Sequence, residues 1–133
     1  MPVERRVPIR TDSDIVTARL EGRAQAAQCE FSPGDQTVIA AAISEVARNI
    51  LLYAQSGEIL LRPVTQGERR GLVIIAEDHG PGIPDVGLAL QDGYSSSGGL
   101  GLGLPGAKRL MDEFEIASAN GKGTTITMKK WVS

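Results

Sequence analysis

The sequence predicts a single α/β domain built in layers, and three observations predict it. Two helical stretches precede two pairs of strand-like runs; no linker or internal repeat divides residues 1–133; and glycine-rich loops gather between residues 79 and 103. With 133 residues, 41% hydrophobic and 23% charged, the chain can bury roughly two thirds of its unfolded surface, so it needs no disulfide or structural metal.

Val3–Arg10 reads as an edge strand, because Pro8 cannot donate to a ladder on both sides. Thr11-Asp12-Ser13-Asp14 then offers N-caps for a first helix. Its apolar stripe is Ile15, Val16, Ala18, Leu20, Ala24, Ala26 and Ala27, ending near Cys29. Ser32-Pro33-Gly34-Asp35 starts a second helix with a capping hydroxyl, proline at the first helical position and an acid three residues on. This helix runs to about Ala54 and closes on Gly57. Val38, Ile39, Ala42, Ile43, Val46, Ala47, Ile50 and Leu51 make it apolar over most of its circumference, so it belongs at the centre.

Glu58–Val64 and Gly71–Glu77 read as strands joined by the polar connection Thr65–Arg70. Glu113–Ala119 and Thr124–Lys130 form a second hairpin about Asn120-Gly121-Lys122-Gly123. A short helix from about Leu104 to Asp112 lies between the pairs.

Composition excludes several roles. Cys29 is the sole cysteine, which suits a small buried apolar residue and a reducing, cytoplasmic setting. The longest uncharged apolar runs, Val38–Ser44 and Ile50–Ala54, fall short of the roughly 18 residues of a membrane span. Met1-Pro2-Val3-Glu4 lacks the apolar core of a signal peptide. Net charge is −2 and the basic residues are scattered, so neither a nucleic acid nor a membrane is an expected partner.

Three places carry chemistry. Glu45 and Asn49 are four apart on one face of an otherwise apolar helix, where an unpaired carboxylate would cost several kcal/mol. Either this face is the solvated edge of the helix, or it meets something polar. A Mg²⁺ ion held by the Asn49 amide oxygen and by phosphates would serve, with Glu45 placed to accept a proton. Asp78 ends a strand and is followed by His79-Gly80-Pro81-Gly82-Ile83. It is either part of an ordinary turn or an acceptor for the exocyclic amine of adenine, with glycines letting the backbone approach the ring. Ser95-Ser96-Ser97-Gly98-Gly99-Leu100-Gly101-Leu102-Gly103 runs into a helix start, where backbone N–H groups suit phosphate oxygens.

Two motif matches fail on context. Gly101-x-Gly103-x-x-Gly106 follows a Ser/Gly loop, not a strand, and no acid lies about 20 residues on. Gly121-Lys122-Gly123-Thr124 lacks the first glycine of a P-loop and no helix follows it. It begins a strand whose Thr124 and Thr125 hydroxyls approach the base. His79, the only histidine, sits in a tight turn without companion ligands and reads as solvent-facing.

The ordered set Glu45-x₃-Asn49, Asp78-x-Gly80-x-Gly82, Gly99-x-Gly101-x-Gly103 and Gly123-Thr124 resembles the GHKL (Bergerat-fold) ATPases over about residues 12–131. Glu45–Ile50, Ala76–Pro84 and Asp92–Gly106, extended by Lys108–Phe114, resemble the RsbT-type serine/threonine switch kinases of bacterial stress-response signalling. The resemblance implies a two-layer sandwich with helices over one face of a mixed, mostly antiparallel sheet, and an ATP lid at 86–99. It implies ATP and Mg²⁺ as cofactors, with Glu45 as base, Asn49 on the metal and Asp78 on adenine. The nucleotide set is Asn49, Asp78, Gly80, Gly82, Ile83, Gly98, Gly99, Leu100, Gly101, Leu102, Gly103, Thr124 and Thr125. Implied partners are STAS-domain substrate proteins, both antagonist and scaffold, in a stressosome-like assembly. A PP2C-type phosphatase is activated on release, and there is room for a weak homodimer. Unlike histidine kinases, the chain has no dimerisation helices or phosphoacceptor histidine, so its acceptor lies on another protein. The rival reading is a nucleotide-gated, anti-sigma-factor-like binding switch with little catalysis, against which Glu45 and Asn49 weigh. Plain ATP hydrolysis is a third.

Overall fold

The computed structural model describes residues 3–81, 103–119 and 121–133. In chain order the described elements are β1 (Arg5–Ile9), α1 (Asp12–Gln28), α2 (Pro33–Ala54), β2 (Gly57–Gln66), β3 (Arg69–Asp78), α3 (Gly103–Leu110), β4 (Glu113–Ala119) and β5 (Gly123–Trp131). The strands form one sheet in the order β1-β2-β3-β5-β4. Every described pairing is antiparallel, so the parallel component of a mixed sheet is not found among these residues.

Helices cover one face. Strand alternation sends Val7, Ile9, Ile59, Leu61, Leu72, Ile74, Ala76, Ile126 and Met128 into one core with α1, α2 and α3. Within it α2 is central, burying Ile39, Ala42, Ile43, Val46, Ala47 and Ile50. Its start is built as the sequence predicts: Ser32 Oγ accepts the Asp35 N–H at 3.1 Å and Pro33 opens the helix. By length and hydropathy (22 residues, 1.3) α2 would also pass for a membrane span, which counting uncharged runs did not show. Its buried face is shared with the sheet, as in the core helix of a sandwich.

Several boundaries differ from the sequence reading. α2 stops at Ala54 with Gln55 in the left-handed region at φ +68°, two residues before Gly57. Gly57 opens β2 instead, where a Cβ would lie 2.4 Å from the Glu77 carbonyl oxygen. The connection 65–70 is mostly strand: Gln66 pairs with Arg69 across a two-residue turn in which Gly67 adopts φ +63°. α3 ends at Leu110, two residues early.

The stripe predicted for α1 is also corrected. Leu20 is 58% exposed and Val16 44%, and Ala24 and Ala27 are exposed too, while Ala18, Gly22, Gln25 and Ala26 are the buried positions, three of them small. The i, i+4 spacing of Ala18, Gly22 and Ala26 is a small-residue ridge that lets α1 lie close to α2; a Cβ on Gly22 would fall 2.1 Å from Ile43 Cδ1. Cys29 is buried and free, and burial pushes its thiol pKa up, which keeps it an unreactive packing residue.

Ile43 therefore tests the layer contact. Ile43→Ala should cost about 2–5 kcal/mol in urea denaturation with an unchanged m-value. A loss below about 1 kcal/mol would show that α1 and α2 do not meet there.

Candidate functional site

Asp78 continues the buried alternation Leu72, Ile74, Ala76 of β3 and so lies on the helix-covered face, 4% exposed. Its Oδ1 accepts two backbone N–H groups, from Gly80 at 3.0 Å and from Thr124 at 3.1 Å. One donor comes from the turn after β3 and the other from the start of β5, so the carboxylate orientation is fixed from two elements. Oδ2 takes neither bond and is the oxygen the site can offer.

Three glycines make this possible. Gly123 adopts φ +84°, and a Cβ there would sit 2.2 Å from the Asp78 carbonyl oxygen. A Cβ on Gly57 would approach Asp78 Cβ at 3.1 Å and Ile50 Cγ2 at 2.8 Å. Gly80 is a glycine for a reason the sequence reading did not give. Its Cβ would meet Ala54 Cβ at 2.5 Å, so it admits the end of α2. These contacts set the C-terminal half of α2 over the end of β3, bringing the helix that carries Asn49 to the strand that carries Asp78.

The two threonines separate. Thr124 is buried and gives Asp78 its amide, while its hydroxyl lies 2.9 Å from Ser118 Oγ. It acts on the cluster through its backbone, with the side chain engaged across the hairpin. Thr125 pairs with Glu77 and Ala117, and strand alternation puts it on the face away from Asp78. The structure thus does not bring the Thr125 side chain to the cluster. Ser118 is the residue sequence reasoning missed; its position opposite Thr124 follows from hairpin register once the turn is known.

Glu45 and Asn49 share a face of α2 as their spacing requires, and neither is at a solvated edge. The Glu45 side chain is 11% exposed, and Arg48 Nη1 stands 3.0 Å from its carboxylate. Glu45 Oε1 also accepts the N–H of Gly103, the first residue of α3, at 2.9 Å. Gly103 has φ +66°. In the sequence reading that amide was for phosphate; here it is satisfied by Glu45. Asn49 is 6% exposed, and its Nδ2 has no hydrogen-bond partner among the described residues.

The candidates Gly82, Ile83, Gly98, Gly99, Leu100, Gly101 and Leu102, and the lid at 86–99, lie outside the described residues. His79 is exposed beside Glu77, at 3.8 Å.

Whether these residues fit a metal is tested by Asn49. A buried amide without a partner is costly unless something else meets it, and amide oxygen and nitrogen exchange places on a flip. One hard oxygen donor suits Mg²⁺, which takes few protein ligands and keeps waters and substrate phosphates. No group of three or more His, Cys, Asp or Glu side chains is placed to hold a metal among the described residues, so a fully protein-caged ion is not the fit.

Residues 9–130 match the histidine kinase-like ATPase domain family. The chain is 54% identical over 126 residues to the serine/threonine-protein kinase RsbT of Bacillus subtilis, covering 95% of each protein. It is 29% identical over 117 residues to the anti-sigma F factor of Clostridium kluyveri, covering 85% of this chain and 82% of that one. Among solved structures, the RsbU and RsbW domains of Rv1364c from Mycobacterium tuberculosis superpose with a TM-score of 0.63 at 22% identity. That likeness is one of fold; it covers 96% of this chain and 32% of the other.

The Gly123 contact makes a direct test of how Asp78 is held. Gly123→Ala should destabilise the protein by about 1–3 kcal/mol through strain at positive φ, read by chemical denaturation. An unchanged midpoint would mean that β5 does not press on the Asp78 backbone.

Proposed function

This chain belongs to the histidine kinase-like ATPase family and, within it, to the RsbT-type serine/threonine-protein kinases; we propose that it transfers the γ-phosphoryl group of ATP to a serine or threonine of a STAS-domain protein. The observation that carries the reading is the buried Asn49 Nδ2 without a partner among the described residues, one helical turn from the largely buried Glu45 side chain, 11% exposed. A pure binding module needs neither.

In this reading Asp78 Oδ2 accepts a hydrogen bond from the adenine amine, while Oδ1 stays on the Gly80 and Thr124 amides. A carboxylate acceptor there favours adenine and repels the carbonyl oxygen that guanine carries at that position. Asn49 would offer its amide oxygen to a Mg²⁺ ion, which when bound would supply charge neutralisation for the phosphates. Glu45 accepts the hydroxyl proton of the acceptor side chain. As the acceptor oxygen bonds to the γ-phosphorus, the bond to the β,γ-bridging oxygen breaks and ADP leaves with that electron pair. Catalysis of this kind is mostly positioning and charge stabilisation, which suits a site whose side chains are fixed by backbone contacts from several elements.

We place the protein in a bacterial partner-switching module, in the cytoplasm, with STAS-domain antagonist and scaffold proteins as substrates. A PP2C-type phosphatase is its partner after release, and a weak homodimer fits the same scheme. The similarity to an anti-sigma factor favours a second reading, a nucleotide-gated switch whose output is protein contact. The two differ in whether label leaves ATP for a protein.

The test is incubation with γ-³²P-labelled ATP and a purified STAS-domain protein. Acid-stable label on that protein is expected; acid-labile label would point to histidine, and phosphate release without protein label to simple hydrolysis. Asp78→Asn, which turns an acceptor-only group into one that also donates, should weaken ATP binding at least about tenfold in calorimetry. Undiminished affinity would remove Asp78 from adenine recognition.

A further inference from the structure

The Glu45 carboxylate is held by two groups that do not treat its oxygens alike. Arg48, one turn along α2, brings Nη1 to 3.0 Å from both Oε1 and Oε2. The Gly103 N–H, from the start of α3, reaches Oε1 alone, at 2.9 Å. Among the described residues, then, each oxygen accepts one hydrogen bond, Oε2 from Arg48 and Oε1 from Gly103. We propose that Arg48 is a positioning residue for phosphoryl transfer: with the Gly103 amide on the other oxygen, it fixes the plane of the Glu45 carboxylate, which takes the proton of the acceptor hydroxyl. The inference rests on the reading of Glu45 as the base.

An i, i+3 ion pair on a helix surface contributes only a few tenths of a kcal/mol and orders little. This pair is of another kind. The Glu45 side chain is 11% exposed, with the buried Asn49 one turn along the same face, whereas the Arg48 side chain is 40% exposed. The carboxylate therefore bears most of the desolvation, and the arginine relieves it while keeping much of its own hydration. A carboxylate left without this partner would turn toward water, away from the acceptor.

The planar guanidinium matters as well as its charge. Lysine would offer a point charge on a flexible stem and hold the carboxylate less firmly. Arg48 does not itself touch the reacting atoms in this scheme; it acts through Glu45.

The test is a double-mutant cycle read by single-turnover transfer of ³²P from ATP to a STAS-domain protein. Arg48→Met should slow transfer by about 10- to 100-fold, the scale of a misplaced reacting group, with ATP affinity by calorimetry within about twofold of wild type. In a Glu45→Gln background the same change should cost nothing further, because the group it positions is gone. Arg48→Lys should recover part of the rate. Wild-type transfer by Arg48→Met, or its full loss repeated on Glu45→Gln, would overturn the proposal and assign Arg48 to helix stability or acceptor docking. Wild-type transfer by Glu45→Gln is a separate result: it would remove the base itself, and the proposal with it. Should Arg48→Met melt below the assay temperature, Arg48→Lys carries the cycle, with a smaller loss expected only where Glu45 is intact and equal losses in both backgrounds contradicting it.

Discussion

The two hydrogen bonds into Asp78 Oδ1 are the constraint from which the site is built. They require a turn that folds back at Gly80 and a strand start that closes in at Gly123, so that both amides reach one oxygen. A buried carboxylate without such donors would cost several kcal/mol. Met in this way, it becomes a rigid acceptor at the end of the central strand pair. The glycines at 57, 80 and 123 are consequences: each removes a Cβ from a place where the strand end, α2 or β5 needs the space.

α2 does two jobs that pull in opposite directions. Its apolar circumference makes it the centre of the core, and its Glu45 and Asn49 face puts polar groups where solvent is nearly absent. The conflict is resolved locally for Glu45 by Arg48 and by the first N–H of α3. For Asn49 Nδ2 it is resolved by no described residue. Gln25 Oε1 in α1 is also unpaired among the described residues, so what supports the proposed ligand site is that the unpaired Asn49 nitrogen shares a face of α2 with Glu45. The contact between Glu45 and Gly103 also ties α2 to the helix that follows the glycine-rich loop, so the proposed base and the proposed phosphate loop share one joint.

Much of this was legible in the sequence because its signals are local. Ser32-Pro33 marked a helix start, and the apolar circumference of 38–51 marked a central helix. Strand-like runs about polar connections marked both hairpins, and the four-residue spacing put Glu45 and Asn49 on one face. What was not legible depends on pairing and packing. Thr125 was grouped with Thr124, but which of two neighbours faces the site is fixed by register, and a shift of one residue exchanges them. Val16 and Leu20 were read into the buried stripe of α1, whereas small residues at 18, 22 and 26 win the interface by allowing close approach. That Gly80 also makes room for Ala54 depends on how α2 packs against the turn, which no local signal shows. Arg48 and Ser118 carry no signal of their own; each is found only through the partner that structure gives it.

The most direct measurement is a crystal structure with Mg²⁺ and a non-hydrolysable ATP analogue at millimolar concentration. The expected result is an adenine whose amino group meets Asp78 Oδ2 and a metal-bound triphosphate beside Asn49. An empty cleft, or a nucleotide whose base lies away from Asp78, would contradict the assignment at its root.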